Sequence, residues 1–103
     1  STLKGVIAQN LLKRKGGGRV AALEVLVVNS AVSSLIREGK TSQIMSIMQT
    51  AKKEGMTLLN EQLAKFVKDD IVEAEEAWRK AVDKDDLMRQ FNSAGINFTP
   101  PEE

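Results

Sequence analysis

The chain of 103 residues contains no cysteine, no histidine and no tyrosine. The missing cysteine excludes disulfides and thiolate metal sites, which suits a protein of the reducing cytosol. The missing histidine removes the commonest general base and the commonest metal ligand. Serine, threonine and lysine remain as nucleophiles, and none has an evident activating base in the sequence. We therefore predict no catalysis by this chain alone, and no metal or cofactor bound to it.

The chain also has little net charge and no long apolar run. Fifteen basic and fourteen acidic side chains leave a formal charge of +1, so the molecule as a whole is not expected to attract nucleic acid or anionic lipid. No segment approaches the ~18 apolar residues that a membrane-spanning helix needs. Residues 1–5 lack the pattern of a signal peptide. These features predict a cytoplasmic protein with no nucleic-acid partner and no direct membrane insertion.

One predicted strand, Val20–Val28, is apolar on both faces except at Glu24. Such a strand needs neighbouring strands and cover on both faces. A buried carboxylate needs a partner, so we expect a cation near Glu24 in the folded assembly. The remaining sequence offers at best a hairpin through residues 11–13, and an isolated hairpin is marginal in water. The chain is therefore predicted to be part of a larger structure.

Helical spacing of apolar residues predicts a helix over residues 2–12 and five short helices after the strand. The first of these five carries an apolar stripe of Ala31, Val32, Leu35 and Ile36 and ends at Gly39. The next is capped by Thr41 or Ser42 and stops at Gly55, and another begins at Thr57 and breaks at Asp69-Asp70. The last two cover residues 72–82 and a segment capped by Asp83 that ends at Ala94-Gly95. The predicted fold class is mainly α with one or two β-strands.

Three local motifs are candidate binding sites. Gly39-Lys40-Thr41 resembles the end of a phosphate-binding loop, but Ser34 replaces the required glycine and the preceding residues are helical, so we predict a helix end. The cationic loop Lys13–Arg19 lacks aromatic residues for base stacking and is interpreted as a solvated connection between strands. The aspartates near residues 69–70 and 83–86 do not follow a calcium-loop spacing, and we interpret them as helix caps.

The strand and the helix after it resemble two elements of the PilT-like type IV pilus retraction ATPases, a branch of the secretion ATPase superfamily. Residues 18–26 are similar to that family's Gly-Arg-Val-Ala-Ala-Phe-Glu-Val-Leu strand, and residues 31–40 to its Ala-Ile-Arg-Asn-Leu-Ile-Arg-Glu-Gly-Lys signature. Three of the ten signature positions differ, at Val32, Ser33 and Ser34. Residues 5–12 and several positions downstream, including Lys53-Glu54-Gly55-Met56, continue the resemblance, which covers about residues 3–82.

The resemblance implies the C-terminal part of a RecA-like α/β ATPase domain followed by a helical cap. On this interpretation residues 1–40 end the ATPase core, residues 41–95 form the helical subdomain, and residues 96–103 are a flexible tail. ATP and Mg²⁺ would bind upstream of Ser1 in the parent protein, a cytoplasmic homo-hexamer beside the inner-membrane pilus machinery. The signature helix would couple the motor to pilus retraction. Its residues are Ala31, Leu35, Ile36, Arg37, Glu38, Gly39 and Lys40, with Leu35 and Ile36 as anchors.

Two other functions are compatible with the residues themselves. A stand-alone helical adaptor would bind a partner helix in an apolar groove and would fold cooperatively as a monomer. A small nucleic-acid binder would use the cationic glycine loop, and its affinity would fall steeply with salt.

Overall fold

The structure, a computed structural model, describes the backbone of residues 2–102 and the side chains of residues 4–28, 32 and 34–102. In this part of the chain an antiparallel hairpin precedes four α-helices. The strands are β1 (Thr2–Lys13) and β2 (Arg19–Asn29), and the helices are α1 (Ser30–Glu38), α2 (Thr41–Lys68), α3 (Ala74–Lys80) and α4 (Lys84–Ser93). The mixed architecture of two strands and mostly helix confirms the predicted fold class at this level.

The helix predicted over residues 2–12 is wrong, because that segment forms β1 and pairs along its whole length with β2. A bulge between Val6 and Ala8 explains the misleading pattern. An extra residue in one strand shifts the side-chain alternation, so apolar residues on a bulged strand do not recur strictly every second position. Five short helices were predicted after the strand, and the described residues contain four.

The separate helices predicted on either side of Gly55 are one continuous helix, α2. Its buried side includes Ala51, Gly55, Leu59 and Leu63 at four-residue spacing, which is the period of one helix face. Gly55 therefore lies in the contact surface and does not end the helix. The helix ends before Asp69-Asp70, as predicted. Asp70 has a left-handed backbone, with φ of 62°.

The main core lies between the hairpin and the second half of the helical segment. Leu12 of β1 and Ala22 of β2 are fully buried there, together with Leu59, Leu63, Val72, Leu87 and Phe91 from the helical segment. Phe98, in the predicted tail, packs edge to face on Phe91 with ring centroids 5.8 Å apart. The core thus includes side chains from both sides of the predicted boundary at residue 40, and the division into separate units stays a prediction.

Glu24 is half-buried, and its described partner is an amide in place of the cation that we predicted. Asn10 Nδ2 on β1 donates a hydrogen bond to Glu24 Oε1 at 3.1 Å. The amide satisfies one carboxylate oxygen across the hairpin, so no cation is needed for that contact.

Within residues 2–102, no helix combines the length and the apolar content that crossing a bilayer requires.

Candidate functional site

The candidate site is α1, the signature helix, which starts at Ser30 directly after the last residue of β2. With no linker in between, the direction of the strand determines where the helix begins. The helix ends at Gly39, whose φ of 69° is a left-handed conformation that glycine adopts without strain. Lys40 N donates to Leu35 O at 3.1 Å and closes the helix end. This confirms the predicted start and end of the helix.

The Gly39-Lys40-Thr41 sequence is a tight connection between two helices, as predicted. Lys40 is the N-cap residue of α2, and its side chain makes no capping hydrogen bond. The predicted caps, Thr41 and Ser42, are therefore wrong by one or two positions. Thr41 already belongs to α2, and a backbone that passes from one helix directly into another does not form a phosphate-binding loop.

Among the side chains of α1 that the structure describes, Val32 is the most buried, at 3% exposed. Leu35 is half-buried, whereas Ile36 is 60% exposed. Ile36 therefore does not help to hold α1 against the described part of this chain, and the anchoring that the resemblance implied for it stays a prediction. Ile36 is an apolar side chain presented to solvent. Ala31 also belongs to the predicted site, but its side chain lies outside the described residues.

The charged end of α1 consists of Arg37, Glu38 and Lys40, all of them exposed. Lys40 Nζ lies 3.8 Å from Glu38 Oε2, and the two side chains are 50% and 52% exposed. A pair at that distance and exposure contributes little to stability. All three side chains are therefore accessible to a partner.

The cationic loop between the strands is held against the helical segment. Lys15 N donates to Ile71 O at 2.8 Å, Lys13 N donates to Glu76 Oε2 at 2.8 Å, and Lys15 Nζ pairs with Asp70. The hydrogen bond that Lys15 Nζ donates to Asp70 is the main reason that the pKa of Lys15 lies above its usual value. The loop connects the strands as predicted, and its contacts to carboxylates leave less of its charge for an anion.

One aspartate in the second acidic segment is a helix cap, as predicted. Asp83 Oδ1 accepts a hydrogen bond from Asp86 N at 3.1 Å and so satisfies a free amide at the start of α4. Asp86 accepts hydrogen bonds from Asn60 Nδ2 and Gln90 Nε2 at 2.9 and 2.8 Å. The bond from Asn60 joins α4 to the buried side of α2, and the bond from Gln90 lies within α4.

Two residues that position the hairpin were missed in the sequence. Gln62 of α2 binds the backbone of Leu23 through both ends of its amide. Gly55 allows the helix to touch the backbone of β2, since a Cβ at this position would lie 3.1 Å from the carbonyl carbon of Val25 and closer still to its oxygen. The apolar period that continues unbroken across Gly55 was the available signal for this contact.

Comparison with known proteins identifies relatives of this chain. The chain is 41% identical over 87 residues to a twitching motility protein of Neisseria gonorrhoeae, which covers 84% of the chain and 23% of that protein. It is also 41% identical over 80 residues to the type IV pilus retraction ATPase PilT of Pseudomonas aeruginosa, covering 78% of the chain and 23% of the relative. The chain is a relative of the PilT-like pilus retraction proteins.

The PilT-like match corresponds to a C-terminal portion of the relatives, and the chain spans about a quarter of their length. A third relative, the Escherichia coli protein YggR, is 46% identical over 55 residues, or 53% of the chain and 17% of that protein. No family model matches the chain. The PilT-like relationship confirms the resemblance on which the signature helix was identified, and the role of that helix stays a prediction.

Proposed function

We propose that this chain acts as the C-terminal module of a hexameric pilus retraction ATPase, in which α1 transmits motion to the pilus machinery. The observation that carries the proposal is the direct passage from β2 into α1. A strand within the sheet of a motor domain follows any movement of that sheet. A helix attached to it without a linker reproduces that movement at its exposed end, where Ile36, Arg37 and Lys40 lie.

In this proposal ATP and Mg²⁺ are held by other parts of the longer polypeptide. The one sequence that resembles a phosphate-binding loop is the corner between α1 and α2, where Lys40 lies beside Glu38. In this proposal the present residues contribute packing and a contact surface. The cytoplasmic location at the inner membrane, the hexamer and the pilus-side partner belong to the same proposal.

The proposal is tested by Arg37→Glu in a full-length protein that contains this chain. We expect ATP turnover to remain close to that of the unchanged protein, while pilus retraction is lost, because the substitution changes only an exposed contact. Turnover is measured as phosphate release, and retraction as twitching of a strain that carries the variant.

The matched control is Lys53→Glu, which makes the same charge reversal at an exposed position of α2. We expect this variant to retain both turnover and retraction. If Arg37→Glu abolished turnover together with retraction, or left retraction intact, α1 would not be a coupling element.

A further inference from the structure

Helix α2 runs back along β2 in the opposite direction. The backbone of Gly55 lies against the carbonyl of Val25. Gln62, about two turns later in the helix, contacts Leu23, which is two residues earlier in the strand. The chain therefore reverses direction between β2 and α2, and the contact between Gly55 and Val25 closes a loop of residues 26–54. The whole of α1 lies within this loop.

The side-chain amide of Gln62 holds the two elements together. Leu23 N donates to Gln62 Oε1 at 2.9 Å, and Gln62 Nε2 donates to Leu23 O at 2.8 Å. These are the two hydrogen bonds that a paired residue of a neighbouring strand would make. Both end on backbone atoms of β2, so they fix the position of α2 relative to the strand itself. The contact at Gly55 sets how closely the two elements approach, and the amide holds them at that distance.

The α1 helix is joined to these two elements at its ends. At its start it follows β2 with no residue between them, and at its end only Gly39 and Lys40 separate it from α2. That corner is tight, since Lys40 N donates to Leu35 O and Thr41 N donates to Gly39 O, both at 3.1 Å. A helix joined at one end alone can pivot, because the backbone there has two rotatable angles per residue. The second joint, through α2, therefore determines the direction of α1.

We propose that Gln62 is a positioning residue for α1. Its amide holds α2 on β2, and the two elements together fix the direction in which α1 leaves the sheet. When the two hydrogen bonds are absent, α2 moves relative to β2 and α1 pivots about its start. A movement of β2 then displaces the start of α1 without being reproduced at its exposed end. For its consequence in a motor the inference rests on the proposed coupling function, whereas the effect on the direction of α1 belongs to this chain alone.

The first experiment measures the direction of α1 in the 103-residue chain. Because the sequence contains no cysteine, Arg19→Cys at the start of β2 and Ile36→Cys near the end of α1 allow a spin label at each position, and both are exposed. Pulsed electron paramagnetic resonance then measures the distance between the labels. We expect one narrow peak in the labelled chain, and Gln62→Met should replace it with a broad distribution. Gln49→Met makes the same change at an exposed position of α2 and should keep the narrow peak.

A second control separates positioning from stability. Leu87 of α4 is fully buried in the main core, and Leu87→Val removes a methylene there, which destabilises through a cavity. We expect this variant to lower the urea midpoint of unfolding at least as much as Gln62→Met, and yet to keep the narrow peak. Exchange of the Leu23 amide hydrogen is followed by NMR in variants that circular dichroism shows to be folded. It should be faster in Gln62→Met than in Gln49→Met.

The second experiment places Gln62→Met and Gln49→Met in a full-length protein that contains this chain. We expect Gln62→Met to keep ATP turnover and lose retraction, and Gln49→Met to keep both. A Gln62→Met chain that keeps the narrow peak, or a Leu87→Val chain that loses it, would overturn the positioning role. A broad distribution combined with intact retraction would support that role and would instead contradict the proposed coupling function of α1.

Discussion

Replacing Gly55 with alanine is expected to lower the free energy of unfolding by about 3 kcal/mol, the upper part of the range for overpacking a close contact. The added Cβ would overlap the carbonyl oxygen of Val25, which belongs to the backbone and cannot rotate away as a side chain could. Relief of the overlap requires α2 to move away from β2. That movement would also stretch the two hydrogen bonds between Gln62 and Leu23.

The direction of this effect is the informative part, since glycine is a poor helix former. At an unconstrained helix position, the change from glycine to alanine stabilises by up to about 1 kcal/mol. The measurement is urea unfolding followed by circular dichroism. The control is Gly5→Ala on β1, where the new Cβ meets no atom within 4 Å, so we expect a change within about 0.5 kcal/mol. A Gly55→Ala variant as stable as the unchanged chain would mean that α2 does not touch β2 here.

The second large effect is expected from Asn60→Asp, which nearly preserves shape but replaces a donor with an acceptor. Asn60 is fully buried, and its Nδ2 donates to Asp83 O and to Asp86 Oδ2, both at 2.9 Å. An aspartate would direct a carboxylate oxygen at both acceptors. At neutral pH the free energy of unfolding is expected to fall by about 4 kcal/mol, which is typical of a buried charge without a partner.

This loss should depend on pH in a defined direction. Burial and the neighbouring Asp86 raise the pKa of the introduced carboxyl above its ordinary value of about 3.9. The charge part of the penalty is therefore complete above that raised pKa and disappears as pH falls below the ordinary value, where the group is protonated in both states. The cost of the second hydrogen bond remains, because a protonated carboxyl donates one hydrogen bond and the Asn60 amide donates two. We expect the unfolding free energies of the variant and the unchanged chain to converge on acidification.

The control for Asn60→Asp is Asn97→Asp, which makes the same chemical change at an exposed position outside the helices. We expect it to change stability by less than about 0.5 kcal/mol at any of these pH values. An equal effect at positions 60 and 97 would contradict the proposed role of the buried network between α2 and α4.

Interactions between residues close together in the sequence were sufficient to predict several elements of this fold. The strand β2 was predicted from its continuous run of apolar residues. The end of α1 was predicted from Gly39. Both signals depend only on residues close together in the sequence. The capping role of Asp83 follows from the same kind of interaction, since its partner Asp86 N is three residues away. The resemblance around residues 18–40 also needed only the residues themselves.

Long-range contacts decided what the sequence pattern predicted wrongly. In β1, apolar residues at positions 3, 6, 7, 11 and 12 match a helix period as well as a bulged strand, and pairing with β2 selects the strand. At Gly55, the cost of glycine in a helix is offset by close contact with a strand some thirty residues earlier in the chain. Neither contact is visible in a local window.

By itself, the sequence determined that the chain has one strand apolar on both faces, a short helix directly after it, and a relationship to PilT-like proteins. The tertiary structure alone decided which edge of the sheet is covered. The strand Val20–Val28 was expected to need neighbouring strands, but the Gln62 amide and the backbone of Gly55 occupy one edge of it. The covering residues belong to α2, far along the chain from β2, so no local pattern shows which edge they cover.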